Sequence, residues 1–161
     1  MKKYIGFKMI EAEGAYRHLE DMGTLGVETY YLLFKDIKSG FCLDTKYWIS
    51  GYQVTYPDGY ISWSPKEVFE KAYMEVGENN TIVETNVNDF VKEIEYEQWG
   101  EKTTIAHATL ANGFTITESS SCVDPENFNM DIGSSICREK IYSQVWNHLG
   151  FLLQSAKYGI K

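Results

Sequence analysis

An α+β fold in two small modules is what this sequence predicts, and three observations predict it. Residues 51–73 read as strand, tight turn, strand and helix, and residues 102–156 read as a hairpin followed by a long helix. Between them Gly77-Glu78-Asn79-Asn80-Thr81 is polar and without periodicity, which marks a boundary. The modules are therefore residues 1–77 and 82–161, each an antiparallel hairpin or meander covered by helices.

In the first module, Lys3 to Ala12 alternates and reads as a strand. Tyr16 to Met22 reads as a short helix ended by Gly23. Glu28 to Ile37 fits either a strand or a helix, and Thr29, Tyr30 and Tyr31 favour the strand. Lys38-Ser39-Gly40 is a turn, and Phe41 to Ile49 a further strand, so that these two strands pair as a hairpin. Tyr52, Val54 and Tyr56 then alternate with Gln53 and Thr55, as a half-buried strand requires. Pro57-Asp58-Gly59 supplies turn chemistry: proline presets φ, aspartate bonds its own backbone, and glycine takes positive φ. Tyr60 to Trp63 returns as a strand. Ser64 is the expected helix cap, Pro65 the first helical residue and Glu67 the closing member of a capping box, together worth about 1 kcal/mol. Val68, Phe69, Ala72 and Tyr73 share one helix face, which covers the hairpin. Tyr52, Tyr56, Tyr60 and Trp63 also raise a stacking platform for nucleotides, but such platforms come with basic residues, and only Lys66 and Lys71 are near. Cross-strand packing is the preferred reading.

In the second module, Asn86 caps a predicted helix that runs through about Glu97, with Val87, Phe90, Val91 and Ile94 as its apolar stripe. Around that stripe Glu84, Asp89, Glu93, Glu95, Glu97 and Glu101 form the most one-sided charge run in the chain. Such a run is ordinarily a solvated face. As a functional feature it is an acidic patch for a basic protein surface, with Trp99 as an anchor. The candidate partner-binding residues are Glu93, Glu95, Glu97, Trp99 and Glu101. Lys102 to Leu110 reads as a strand, Ala111-Asn112-Gly113 as a hairpin turn, and Phe114 to Ser121 as the return strand. Asp124 and Pro125 are a cap and first helical position. A helix follows from about Asn129 to Leu149, with Ile132, Ile136, Ile141, Val145 and Leu149 on its apolar face. Gly133, Ser134 and Ser135 are small enough for a neighbouring backbone to approach. Gly150 breaks or caps this helix, and Phe151 to Ala156 adds a turn.

Composition narrows the function classes. The chain has 161 residues, 43% of them hydrophobic, enough for a real core. Its formal charge is −8, with a net −3 in residues 1–80 and −5 in residues 81–161. This disfavours binding to a nucleic-acid backbone, which needs clustered Lys and Arg. Cys42, Cys122 and Cys137 are an odd number without C-x-x-C spacing, as buried thiols in a reducing cytoplasm would be. Residues 1–14 lack the apolar core of a signal peptide, and no apolar run approaches the ~20 residues of a membrane span.

No catalytic constellation is legible. His18, His107 and His148 lack ligand spacing, and the phosphate-loop, dinucleotide and nucleophile-elbow motifs are all missing. Cys122 with His107 as base is a weak candidate, since a cysteine ending a strand is ordinarily structural. Glu118 with Asp124 is a weak acid–base candidate. Arg17 and Arg138 are too few for a phosphate site. The chain reads as a non-enzyme, with no cofactor and no metal.

Two stretches carry a resemblance. Tyr4, Ile5, Gly6, Lys8, Ile10, Glu11 and Ala12, with YPDGYISWSPKEVFEKAY further on, resemble an N-terminal module of small tailed-bacteriophage proteins. In the second half, Asn112, Gly113, Phe114, Thr117, Cys122, Pro125, Asn127, Phe128, Ile132, Gly133 and Trp146 resemble a family of short tailed-phage proteins of unknown function. Glu118-Ser119-Ser120 departs from the Gly-Glu-Ser of that pattern, and Cys137 stands where the family has alanine or another small residue. The family carries no known catalytic residues, so none transfer. The resemblance implies a phage accessory protein in the cytoplasm of the infected bacterial host. Its expected action is to bind and inhibit a host protein, most sharply as an anti-CRISPR inhibitor of a Cas nuclease or another basic nucleic-acid-binding enzyme. Direct binding of nucleic acid or membrane is not expected, and homo-oligomerisation stays open. Two alternatives stand beside it: a sponge for a cyclic-nucleotide defence signal, and a structural or regulatory phage protein.

Overall fold

The fold was analysed in a computed structural model, which describes residues 3, 5–18, 31–33 and 47–160. The α+β class holds: among the described residues two antiparallel sheets and three α-helices fall into two compact units, Lys8–Met74 and a second built around Glu75–Lys161.

In the first unit, β1 (Glu11–His18), β2 (Tyr31–Leu33), β3 (Trp48–Thr55) and β4 (Ile61–Pro65) form an antiparallel sheet in the order β2-β1-β3-β4. The hairpin of β3 and β4 has the expected turn. Gly59 takes φ +83°, its N–H donates to the Tyr56 carbonyl at 2.9 Å, and Asp58 Oδ1 accepts from the Tyr60 N–H at 3.1 Å. Helix α1 (Lys66–Ala72) lies on this hairpin, with the Phe69 ring stacked on Tyr52 at 4.1 Å and on Tyr73 at 4.9 Å.

Several expectations for this unit are corrected. Residues 3 and 5–10 form no strand; β1 begins at Glu11. Tyr16, Arg17 and His18 belong to that strand and not to a helix, because they pair with β3 at Ser50, Ile49 and Trp48. Tyr31–Leu33 is a strand as expected; it pairs with β1, which lies between it and β3, so among the described residues it does not pair with the part of the expected 41–49 strand that belongs to β3. The rest of the expected helix after His18, the turn at Lys38-Ser39-Gly40 and the strand at 41–46 lie outside the described residues. Ser64 does not cap α1. It pairs with Tyr52 as the penultimate residue of β4, and Pro65, at φ −56° and ψ 145°, takes the cap position without a side-chain bond. Tyr52 and Trp63 are on opposite faces of the sheet, since Tyr52 sits across from Ser64 and Trp63 across from Gln53. The four aromatics are therefore not one stacking platform.

The second unit begins with α2 (Glu84–Phe90) and continues as β5 (Val91–Trp99), β6 (Thr103–Leu110) and β7 (Thr115–Ser121), a meander in that order. A single 3₁₀ turn, Pro125–Asn127, leads to α3 (Met130–Tyr158). The β6–β7 turn is as expected, with Gly113 at φ +83° and Asn112 Oδ1 accepting from the Phe114 N–H at 3.0 Å. Asn129 caps α3, its Oδ1 accepting from the Asp131 and Ile132 N–H groups at 2.9 and 3.1 Å. The core lies between the inner face of the sheet and α3. Val87, Ala106, Ala108, Leu110 and Ile116 meet Cys137, Ile141, Val145 and Leu149 there.

Three corrections follow in this unit. The helix expected from Asn86 through Glu97 ends at Phe90, and Asn86 sits inside it, its Oδ1 accepting from the Val83 N–H at 3.0 Å. From Val91 the chain is a strand, because β6 offers it eight residues of pairing and an apolar face for Ile94 and Tyr96. On α3, Ile132 and Ile136 are exposed, and the buried row is Gly133, Cys137, Ile141, Val145 and Leu149. Gly150 neither breaks nor caps α3, which runs through it to Tyr158.

Candidate partner-binding face

Side chains alternate between faces along a strand. In β5 this puts Ile94 and Tyr96 against the core side and leaves Glu93, Glu95, Glu97 and Trp99 on the other, where all four are exposed. Trp99 is 67% exposed. The three carboxylates stand in a straight row, about 6.8 Å apart from one to the next. Register continues this face across β6, where Glu93 is opposite Thr109, Glu95 opposite His107, Glu97 opposite Ile105 and Trp99 opposite Thr103. On β7 it continues through Thr115, Thr117, Ser119 and Ser121. His107 Nδ1 meets Thr117 Oγ1 at 2.8 Å, and Thr103 Oγ1 meets Ser121 Oγ at 2.8 Å. The result is a sheet face with hydroxyls on two strands and carboxylates on the third, while α3 covers the opposite face. Glu101 is exposed in the turn after β5 and is not part of the row. Glu84 and Asp89 belong to α2. Burial pushes the Tyr96 phenol, on the inner face, above its ordinary 10.0, against the pull of Arg138.

The weaker candidates do not assemble. Cys122 follows β7, its thiol donating to the Asp124 carbonyl at 3.1 Å, whereas His107 is bonded to Thr117. Glu118 accepts from the Gln144 amide between sheet and helix and does not meet Asp124. Among the described residues no group of three or more His, Cys, Asp or Glu side chains is placed to hold a metal ion. A shallow cleft of about 140 Å³ lies where the ends of β6 and β7 meet the start of α3, lined by Lys102, Thr104, Ser120, Cys122, Asn129 and Gly133. Two of the free donors at that helix start are already taken by Asn129. No helix among the described residues is long and apolar enough to cross a membrane.

Sequence reasoning found the acidic residues but not their alignment. The signal it missed is the period-two run from Glu93 to Glu97, in which charged and apolar residues strictly alternate.

No curated protein and no solved structure matches the chain. A family model does, over residues 69–157, which is more than half of the chain and takes in α2, the three-stranded sheet and nearly all of α3. The match begins at Phe69, inside the Tyr56–Tyr73 signature, and leaves most of that signature outside. By this match the chain belongs to the phage protein (N4 Gp49/phage Sf6 gene 66) family.

Proposed function

We propose that this chain is a non-enzymatic phage accessory protein that binds a basic surface of a host protein and inhibits it. The sharpest target is the nucleic-acid channel of a defence nuclease of the Cas type. The observation that carries the reading is the row of Glu93, Glu95 and Glu97 on the uncovered face of β5, with exposed Trp99 at its end. Complementary charge steers encounter and rejects wrong partners, and an exposed tryptophan beside the row supplies apolar area. A net charge of −8 adds a long-range field of the same sign. The row carries one charge per ~6.8 Å, against one per ~3.4 Å along a nucleic-acid strand. It matches sparse lysines and arginines on a protein surface rather than reproducing a phosphate backbone charge for charge.

The test is retention of a partner from bacterial lysate carrying defence systems by the tagged chain, followed by assay of that partner's nuclease activity with and without the chain. The expected outcome is inhibition by the wild type that is lost in the E93K/E95K/E97K variant. Inhibition unchanged by that triple reversal would overturn the acidic-face mechanism.

A further inference from the structure

We infer that the free edge of β5 accepts an extended basic segment of the partner as a fourth strand of this sheet. The inference rests on the acidic-face reading above and adds the mode of binding.

Hydrogen bonds of the meander determine which backbone groups face outward. In β6 the Leu110 N–H donates to the Phe114 carbonyl at 2.8 Å, on the β7 side. Just before the strand, the Lys102 carbonyl accepts from the Cys122 N–H at 3.0 Å, again on the β7 side. Even-numbered residues of β6 therefore bond to β7, and Thr103, Ile105, His107 and Thr109 bond to β5. Their partners there are Trp99, Glu97, Glu95 and Glu93. The N–H and C=O groups of Ile94, Tyr96 and Gln98 accordingly point away from β6, to the open edge. Two contacts check this phase independently. The Ala111 N–H reaches the Phe90 carbonyl at 2.8 Å on the β5 side, and Ser119, outward-facing on β7, has its carbonyl bonded by Lys140 Nζ at 2.6 Å.

The two edges of the sheet are thus treated differently. Natural edge strands are blunted by lysine, proline, bulges or short length. The β7 edge carries the Lys140 ammonium on one of its outward carbonyls. The β5 edge is nine residues long; its irregularity, at Val91/Glu93, and its one lysine, Lys92, both lie at the start, and Glu93 to Trp99 pair regularly. Among the described residues β5 pairs only with β6, and no hydrogen bond from them occupies the outward groups of Ile94, Tyr96 and Gln98.

Charge selects the occupant. A second copy pairing antiparallel about Tyr96 would set Glu95 against Glu97, which like charges on facing strands oppose. An antiparallel strand with Lys or Arg at every second position sets those cations opposite Glu93, Glu95 and Glu97. These are non-hydrogen-bonded pairs on the new side, where facing Cα atoms are only ~4.5 Å apart. The intervening partner residues face Ile94 and Tyr96 on the inner side and are apolar. Main-chain bonds then give affinity and the alternate side chains give specificity, as in other strand additions.

The experiment uses the full chain, isotope-labelled, and the capped peptide Thr-Lys-Val-Lys-Val-Lys-Thr. A second peptide of the same sequence, N-methylated at each valine, keeps the charge and loses the donors. The expected result is slowed amide exchange at Ile94, Tyr96 and Gln98 with the first peptide, and binding weaker by about tenfold or more with the second, a difference worth about 1.4 kcal/mol. Equal binding of both peptides, without protection at those amides but abolished by E93K/E95K/E97K, overturns strand addition and leaves the acidic-face reading standing. Protection at the β7 edge instead overturns it by placing the strand elsewhere. Binding of neither peptide also overturns it, with the glutamates then acting only to keep this edge from self-association, and the inhibition assay judges the acidic face separately.

Discussion

Two glycines of α3 make opposite predictions for one substitution. Gly133 is buried, and a Cβ there would stand 2.7 Å from the Thr104 Cβ and closer still to its Oγ1. Thr104 is 1% exposed and held by its strand, so it cannot turn aside. Its Cβ is fixed to the backbone whatever rotamer it adopts, so α3 must retreat from β6, loosening Cys137 and Ile141 behind it. Overpacking of this kind costs about 1–3 kcal/mol, while alanine gains about 1 kcal/mol in helix propensity. Gly133→Ala is therefore expected to destabilise by about 0–2 kcal/mol, the two terms opposing each other. At Gly150 a Cβ would meet nothing within 4 Å, so Gly150→Ala keeps the propensity gain of about 1 kcal/mol. Urea unfolding followed by helical circular dichroism should separate the two variants by roughly 1 M in midpoint. A further cycle locates the cause. Thr104→Ala leaves the Cβ contact in place and should rescue Gly133→Ala only in part, whereas Thr104→Gly should make Gly133→Ala neutral or stabilising. If Gly133→Ala stabilises the wild type as much as Gly150→Ala does, the close approach of α3 to β6 is wrong.

Two more predictions concern the same unit. Asn129→Ala removes the acceptor for the Asp131 and Ile132 N–H groups and should cost about 1 kcal/mol in urea unfolding, with Asn129→Asp close to wild type; equal losses in both would refute the cap. Burial pushes the Cys137 thiol above its ordinary 9.0, Lys140 opposing and Glu118 adding to the effect. Below that value the thiol is neutral in both states and stability does not respond to it. Above it the unfolded chain ionises first, so stability falls as pH rises. Cys137→Ala should flatten the decline of the urea midpoint between about pH 8 and 10, and an unchanged slope would refute the assignment.

What the sequence made legible was local. Asn112-Gly113 and Asp58-Gly59 specify their turns through short-range bonds and positive φ, and Asn129 specifies the start of α3 in the same way. What it hid was decided at long range. Residues 87, 90, 91 and 94 satisfy a helical period while residues 93 to 97 satisfy a period of two, and only pairing with β6 resolves the conflict in favour of a strand. The order β2-β1-β3 in the first unit likewise depends on which strand comes between two others, a choice no local pattern makes. On α3 a search for apolar spacing selects Ile132 and Ile136. The helix comes so near to Thr104 that the contact position admits only glycine, and the isoleucines turn outward.

The candidate site changes character with that one reassignment. On a helix, residues two apart point about 200° away from each other, so Glu93 and Glu97 would share one side, Glu95 would stand on the other, and their backbone groups would be spent within the helix. On a strand the same three side chains line up on one face, and every second residue between them turns its N–H and C=O out of the sheet. A diffuse acidic surface thereby becomes a linear feature with direction and spacing, beside backbone groups that no hydrogen bond among the described residues occupies. Net charge alone distinguishes a basic partner from an acidic one. A charged row beside an open edge also distinguishes an extended basic segment from a folded basic patch, since only the former can pair with Ile94, Tyr96 and Gln98 while placing a cation opposite each glutamate.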